Sequence, residues 1–174
     1  MKTIIFVCNL TQLGTTRDKL YATILPYLRD NLLTAGISTP YRNFKNLYYY
    51  YRQATLAEAL GRRKDPSRWY FKFEEYQLDY MVHKCTENTI AEVLIPDGLK
   101  SLMEYDQQRN HNYTQTLRLY LRNDRNIAKT IREAYMHRST FLYQIKRIQE
   151  ILKMDLDDPE VRLLLLMAFH ILDA

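Results

Sequence analysis

The side chains whose type and spacing suggest chemistry are cations. Between Arg118 and Lys153 stand nine basic residues: Arg118, Arg122, Arg125, Lys129, Arg132, Arg138, Lys146, Arg147 and Lys153. Only three acids, Asp124, Glu133 and Glu150, share that stretch, leaving an excess of six. The whole chain carries +5, so the remainder is near −1. A positive excess confined to one short segment suits a phosphate-facing surface, because each neutralised phosphate releases counterions. On charge alone, a solvated basic face is an equal alternative.

Other chemistries find little support. Cys8 and Cys85 are too few and too distant for a disulfide framework or a four-ligand zinc site, and His83 beside Cys85 makes only a weak pair. Reduced thiols in a cytoplasmic protein fit this usage. No nucleophile–base pair, metal cluster or phosphate-cradling glycine loop stands out, so no enzyme, catalytic residue, metal or cofactor is expected. The apolar run Ile4–Val7 is too short for a secretory segment, and nothing later has transmembrane length, so no membrane partner is expected.

The elements that must position the cations are helices. Only 4 Gly and 5 Pro in 174 residues argue against a turn-rich sandwich or barrel. Thr114 to Leu121 reads as a helix with Leu117, Tyr120 and Leu121 inward, broken by Asn123-Asp124-Arg125-Asn126. Asn126 can cap a short helix carrying Ile127, Thr130, Ile131 and Ala134 on its inner side. Tyr135-Met136-His137 is a tight connection to a helix from Arg138 to about Leu152, with His137 as a turn or cap residue. Phe141, Ile145, Ile148 and Leu152 recur there at helical spacing and make one buried stripe. The other side presents Arg138, Ser139, Tyr143, Lys146 and Arg147. Polar and basic groups at a helix N-terminus suit base edges in a major groove, and the cations two turns on suit phosphates. An ordinary surface helix in a bundle fits the same spacing.

The run Met136-His137-Arg138-Ser139-Thr140-Phe141-Leu142-Tyr143-Gln144-Ile145-Lys146-Arg147-Ile148 resembles the C-terminal helix-turn-helix of the sugar-diacid and purine-catabolism regulators (CdaR/PucR type). Its usual form is close to I-H-R-N-T-L-x-Y-R-L-x-R-I. Met154-Asp155-Leu156-Asp157-Asp158-Pro159-Glu160-Val161-Arg162 is similar to the same family's "gldLddpedR" segment. The resemblance implies a DNA-binding transcriptional regulator with duplex DNA as partner, activating catabolic genes in response to a metabolite. It makes Arg138, Ser139, Thr140 and Tyr143 groove-facing, with Lys146 and Arg147 on the backbone and Gln144 also among the DNA-binding residues. Ser139 replaces the usual Asn and Gln144 the usual Arg, so affinity or sequence preference departs from the family's norm. A helix-turn-helix used for protein interaction or dimerisation, without DNA, is the competing reading.

Before Pro96 the pattern is mixed. Thr3 to Leu10 reads as a buried strand, a helix follows from about Thr16 with Leu20, Ile24, Tyr27, Leu28 and Leu32 at spacings of three and four, and Ala35 to Thr39 reads as a second strand. This is a β-α-β arrangement of neighbouring parallel strands. A helix from Phe44 to Leu60 stops at Gly61, Trp69 to Phe73 is another strand, and Leu78 to about Val93 is helical with breakers at Thr86, Asn88 and Thr89. Ala35-Gly36-Ile37-Ser38-Thr39-Pro40, Tyr51-Arg52-Gln53-Ala54 and Ala57-Glu58-Ala59-Leu60 resemble a strand and helix of the family's degenerate GGDEF-like domain.

The fold class expected is therefore α+β. A partial, truncated GGDEF-like α/β portion spans residues 1–95, and an all-α helix-turn-helix domain spans 96–174. The family's effector-sensing region is expected to lie outside this chain. No Gly-Gly-Asp/Glu-Glu-Phe motif is present to hold metal for nucleotide cyclisation. The final helix starts at Asp158-Pro159-Glu160 and is apolar nearly all round from Leu163 to Met167, which predicts burial in the domain core or against the second subunit of a homodimer.

Overall fold

The computed structural model describes residues 3–173. The chain divides into two compact units, one ending at Tyr80 and the other starting at Met81. The first is a small α/β unit and the second is all helical.

In the first unit, α1 (Arg17–Asp30) begins at Thr16, whose hydroxyl accepts a hydrogen bond from the Lys19 amide. Pro26 lies inside this helix without ending it. Tyr21 and Leu28 are its buried residues, Leu20 and Ile24 are half-buried, and Tyr27 is exposed. Strand β1 (Ala35–Ile37) pairs in parallel with β2 (Tyr70–Lys72), Ala35 opposite Tyr70 and Ile37 opposite Lys72. The helix crossing between them is α2 (Leu47–Lys64), which packs on both strands. The β-α-β unit thus exists, but one element later than the spacing suggested.

Residues 3–9 form no strand, and Ile4, Ile5 and Phe6 are exposed. An apolar run becomes a strand only when a neighbour completes its hydrogen-bond ladder, and among the described residues β1 and β2 pair only with each other. Gly61 does not stop α2 either. It is buried inside the helix, just before its last three residues, where a Cβ would come within 2.0 Å of the Phe71 ring. Here the glycine serves close helix-to-strand approach, and α2 runs on until Arg62, Arg63 and Lys64 meet the negative end of its dipole. Phe71, Phe73, Tyr76 and Ala57 form this unit's core.

Helix α3 (Gln77–Thr86) carries the boundary between units and ends earlier than Val93; a 3-10 turn, Ala91–Leu94, follows. In the second unit the turn at Pro96 starts α4 (Asp97–Arg109). After it come α5 (Tyr113–Arg122), α6 (Ile127–Glu133), α7 (Arg138–Leu152) and α8 (Pro159–Leu172). Helix α7 packs against α4 and α5, and α8 against α5. Leu99, Leu102, Leu117, Ile148, Leu152, Leu156 and Leu165 are almost wholly buried between them. Each such side chain contributes about 1.5–3 kcal/mol through loss of water contact.

Helix α8 opens as its sequence dictates. The Asp158 carboxylate accepts from the Glu160 amide at 2.8 Å, and Pro159 occupies the first turn. Its burial is one-sided, however. Leu165, Ala168 and Phe169 face the core, while Leu163, Leu164 and Leu166 remain exposed. Among the described residues no helix is long and apolar enough to cross a membrane.

Candidate nucleic-acid interface

The site is a three-helix arrangement, α5, α6 and α7, held by side chains that close each helix end. The Asp106 carboxylate, on α4, accepts hydrogen bonds from the backbone N–H groups of Tyr113 (3.0 Å) and Thr114 (2.7 Å) and so satisfies the open start of α5. The chain reverses into it through Asn110, whose φ of +53° lies in the left-handed region. Tyr105, His111 and Tyr113 stack beside this turn, with ring centroids 4.7 Å apart for the last two.

After α5, Asp124 and Arg125 take left-handed conformations, and Asn126 caps α6 by accepting from the Lys129 amide at 2.9 Å. Buried Asn123 donates to Glu133 at 2.7 Å, and fully buried Thr130 donates to the Asn126 carbonyl at 2.8 Å. These contacts fix α6 against the end of α5. Between α6 and α7 the backbone turns at Tyr135, 97% exposed with φ +51°. His137 takes the extended N-cap position of α7 without a side-chain cap bond.

Phe141, Ile148 and Leu152 are the buried stripe of α7, with Ile145 half-buried, and Phe141 meets the Tyr120 ring edge-on at 5.3 Å. Ser139, Tyr143 and Lys146, at i, i+4 and i+7, form one exposed ridge on the opposite side. Arg138 and Thr140 flank the ridge at its N-terminal end and are exposed too. Leu142 is also exposed among them; its position off the buried stripe was the signal that could have marked it as a surface residue.

Gln144 and Arg147 stand apart from this group. Gln144 is half-buried and its side-chain oxygen accepts from the Thr116 hydroxyl of α5 at 2.8 Å. Arg147 donates to the Tyr105 hydroxyl at 3.4 Å, pairs with Glu150, and lies 5.8 Å from the Tyr105 ring centroid. Hydrogen bonds to Tyr105 and then Glu150 hold its guanidinium still further above its ordinary value.

The nine cations sort into two classes. Arg118 pairs with Asp173, Arg125 with Asp157 and Arg147 with Glu150, and all three are half-buried. Arg125 and Arg162 also donate to the Leu156 carbonyl, at 3.2 and 3.1 Å, fixing the loop between α7 and α8. Arg122, Lys129, Arg132, Arg138, Lys146 and Lys153 are exposed and have no ion-pair partner among the described residues. The first turn of α7 holds a cation, Arg138, and no acid, although the dipole there favours negative charge by a few tenths of a kcal/mol or more. An anion arriving at this end would meet backbone N–H groups and Arg138 together.

Residues 113–171, from the start of α5 to near the end of α8, match the PucR C-terminal helix-turn-helix domain. A stretch of 72 residues is 35% identical to the purine catabolism regulatory protein of Bacillus subtilis (strain 168), covering 41% of this chain and 13% of that protein. The chain thus spans a small part of the curated relative it matches. No solved structure matches it.

Proposed function

We propose that this chain is a DNA-binding transcriptional regulator of the PucR type, with α7 entering the major groove of duplex DNA. The observation that carries the reading is the exposed polar ridge of α7, in a segment whose six exposed cations have no ion-pair partner among the described residues. Paired arginines hold a fold together; exposed, unpaired ones are available to phosphates. Arg138, Ser139, Thr140 and Tyr143 are assigned to the groove, Arg138 at its phosphate-lined edge, and Lys146 to the backbone. Gln144 and Arg147, bonded to α5 and α4, are assigned to setting the angle at which α7 is presented. The helix-turn-helix domain is taken to span 96–174, and the α/β portion before it is read as part of a GGDEF-like domain, on the strength of the parallel β1-α2-β2 unit.

Activation of catabolic genes in response to a metabolite is the regulatory role proposed, and the purine-catabolism name of the Bacillus relative makes such genes the first targets to test. The test is a titration of labelled duplex DNA with the purified chain at low and rising salt. Binding that weakens steeply with salt is expected. Absence of duplex binding at low salt would instead favour a helix-turn-helix used only between proteins.

A further inference from the structure

On the outward side of α7 one side chain can neither give nor take a hydrogen bond. From Arg138 to Lys146 the exposed residues are Arg138, Ser139, Thr140, Leu142, Tyr143 and Lys146. Leu142, 46% exposed, is the one aliphatic side chain among them. It lies off the buried stripe of Phe141, Ile148 and Leu152 and takes no part in the domain core. Its outward neighbours at helical spacing are Ser139, three residues before it, and Arg138 and Lys146, four before and four after. Those two cations are exposed, have no ion-pair partner among the described residues, and stand about 12 Å apart along the helix axis.

We propose that Leu142 is a specificity-determining residue, which packs on the C5-methyl group of a thymine. The assignment rests on the reading of α7 as the helix in the major groove. With Arg138 and Lys146 on phosphates, Leu142 is held between them against the base edges. Of the four bases only thymine offers a methyl group there; the other three present hydrogen-bond donors and acceptors alone. A leucine over the cytosine amine or the guanine carbonyl displaces water from a polar group and returns no hydrogen bond. Over thymine it takes apolar surface of both partners out of water. One side chain therefore favours thymine and disfavours cytosine at the same position. Thr140 also carries a methyl group, but its hydroxyl can satisfy a polar edge, so it does not impose that choice.

The whole chain is used to enrich duplexes from a randomised pool, and each dT of an enriched duplex is replaced singly by dU, which lacks only the methyl group. Fluorescence anisotropy at fixed salt reads the affinities. At the thymine beside Leu142 the replacement weakens binding about fourfold, as expected for one buried methyl group. At the same position 5-methyl-dC binds more tightly than dC. The Leu142→Ala chain binds the dT and dU duplexes equally. A methyl dependence that is absent at every thymine, survives Leu142→Ala, or is removed by Thr140→Ser instead overturns the proposal. Should Leu142→Ala fail to fold by circular dichroism, nuclear Overhauser contacts between the Leu142 and thymine methyl protons in the parent complex decide. Their presence upholds the assignment and their absence overturns it. A pool that yields no duplex refutes the DNA-binding reading and this assignment with it, whereas binding that ignores the methyl groups refutes this assignment alone.

Discussion

Alanine at Arg138 and Lys146 removes two exposed cations that have no ion-pair partner among the described residues, whereas alanine at Arg118 removes one that Asp173 already neutralises. The two changes separate charge that faces phosphate from charge that holds helices together. Each phosphate neutralised adds about 0.9 to the slope of log affinity against log salt. If all six unpaired cations reach the duplex, the slope is about −5 per chain, and affinity falls roughly a thousandfold between about 50 and about 200 mM salt. Removing Arg138 and Lys146 reduces the slope to about −3.5. Arg118→Ala leaves the slope unchanged and costs about 1–2 kcal/mol of stability, since its guanidinium pairs with Asp173 and also lies 4.8 Å from the Phe169 ring centroid. Fluorescence anisotropy of a labelled duplex across a salt series reads all three slopes. If the double variant keeps the parent slope, or Arg118→Ala lowers it equally, the division into free and committed cations is wrong.

Three further perturbations probe the scaffold. Gly98→Ala puts a Cβ within 2.1 Å of the Leu152 carbonyl oxygen, so α4 must move off the end of α7; urea denaturation should show a loss of about 2 kcal/mol or more, and an unchanged midpoint would contradict that close approach. Asp106→Ala strips the start of α5 of its acceptor and is expected to cost about 1–2 kcal/mol by the same measurement, with Asp106→Asn, which keeps one oxygen, costing less. Tyr135→Gly relieves a left-handed conformation worth about 1 kcal/mol, partly offset by the freer unfolded chain. Since the Tyr135 side chain touches almost nothing, its melting temperature should hold or rise slightly; a fall of several degrees speaks against a left-handed turn.

What sequence makes legible here is what short-range physics decides. Asn126 as a cap, the Arg138–Leu152 helix with its inward Phe141 and Ile148, and the Asp158-Pro159-Glu160 start all depend on residues within a turn or two, and all are found as read. The misreadings share the opposite property. Whether Thr3 to Leu10 forms a strand depends on a distant partner, and whether Gly61 ends a helix depends on Phe71 lying against it. The one-sidedness of α8 was hidden because both its faces are apolar, leaving no polar stripe to mark the outside. At the site, spacing put Arg138, Ser139, Tyr143 and Lys146 of α7 outward, where they are exposed, but also Arg147, which is half-buried, and it did not show their bonding. That Gln144 reaches Thr116 and Arg147 reaches Tyr105 follows only from the packing of α7 on α5 and α4. Asp106, which closes α5 from the preceding helix, gave no recognisable motif, because its partners lie seven and eight residues away across a left-handed turn.

The central claim, that the outer ridge of α7 faces the DNA duplex, is met most directly by nuclear magnetic resonance of the isotope-labelled chain titrated with a short duplex at low salt. The account predicts that the largest shifts fall on Arg138, Ser139, Thr140, Tyr143 and Lys146, with smaller ones at Lys129 and Arg132 on α6. A duplex that binds while leaving those α7 signals unmoved, and shifting α8 or the α/β unit instead, would contradict it.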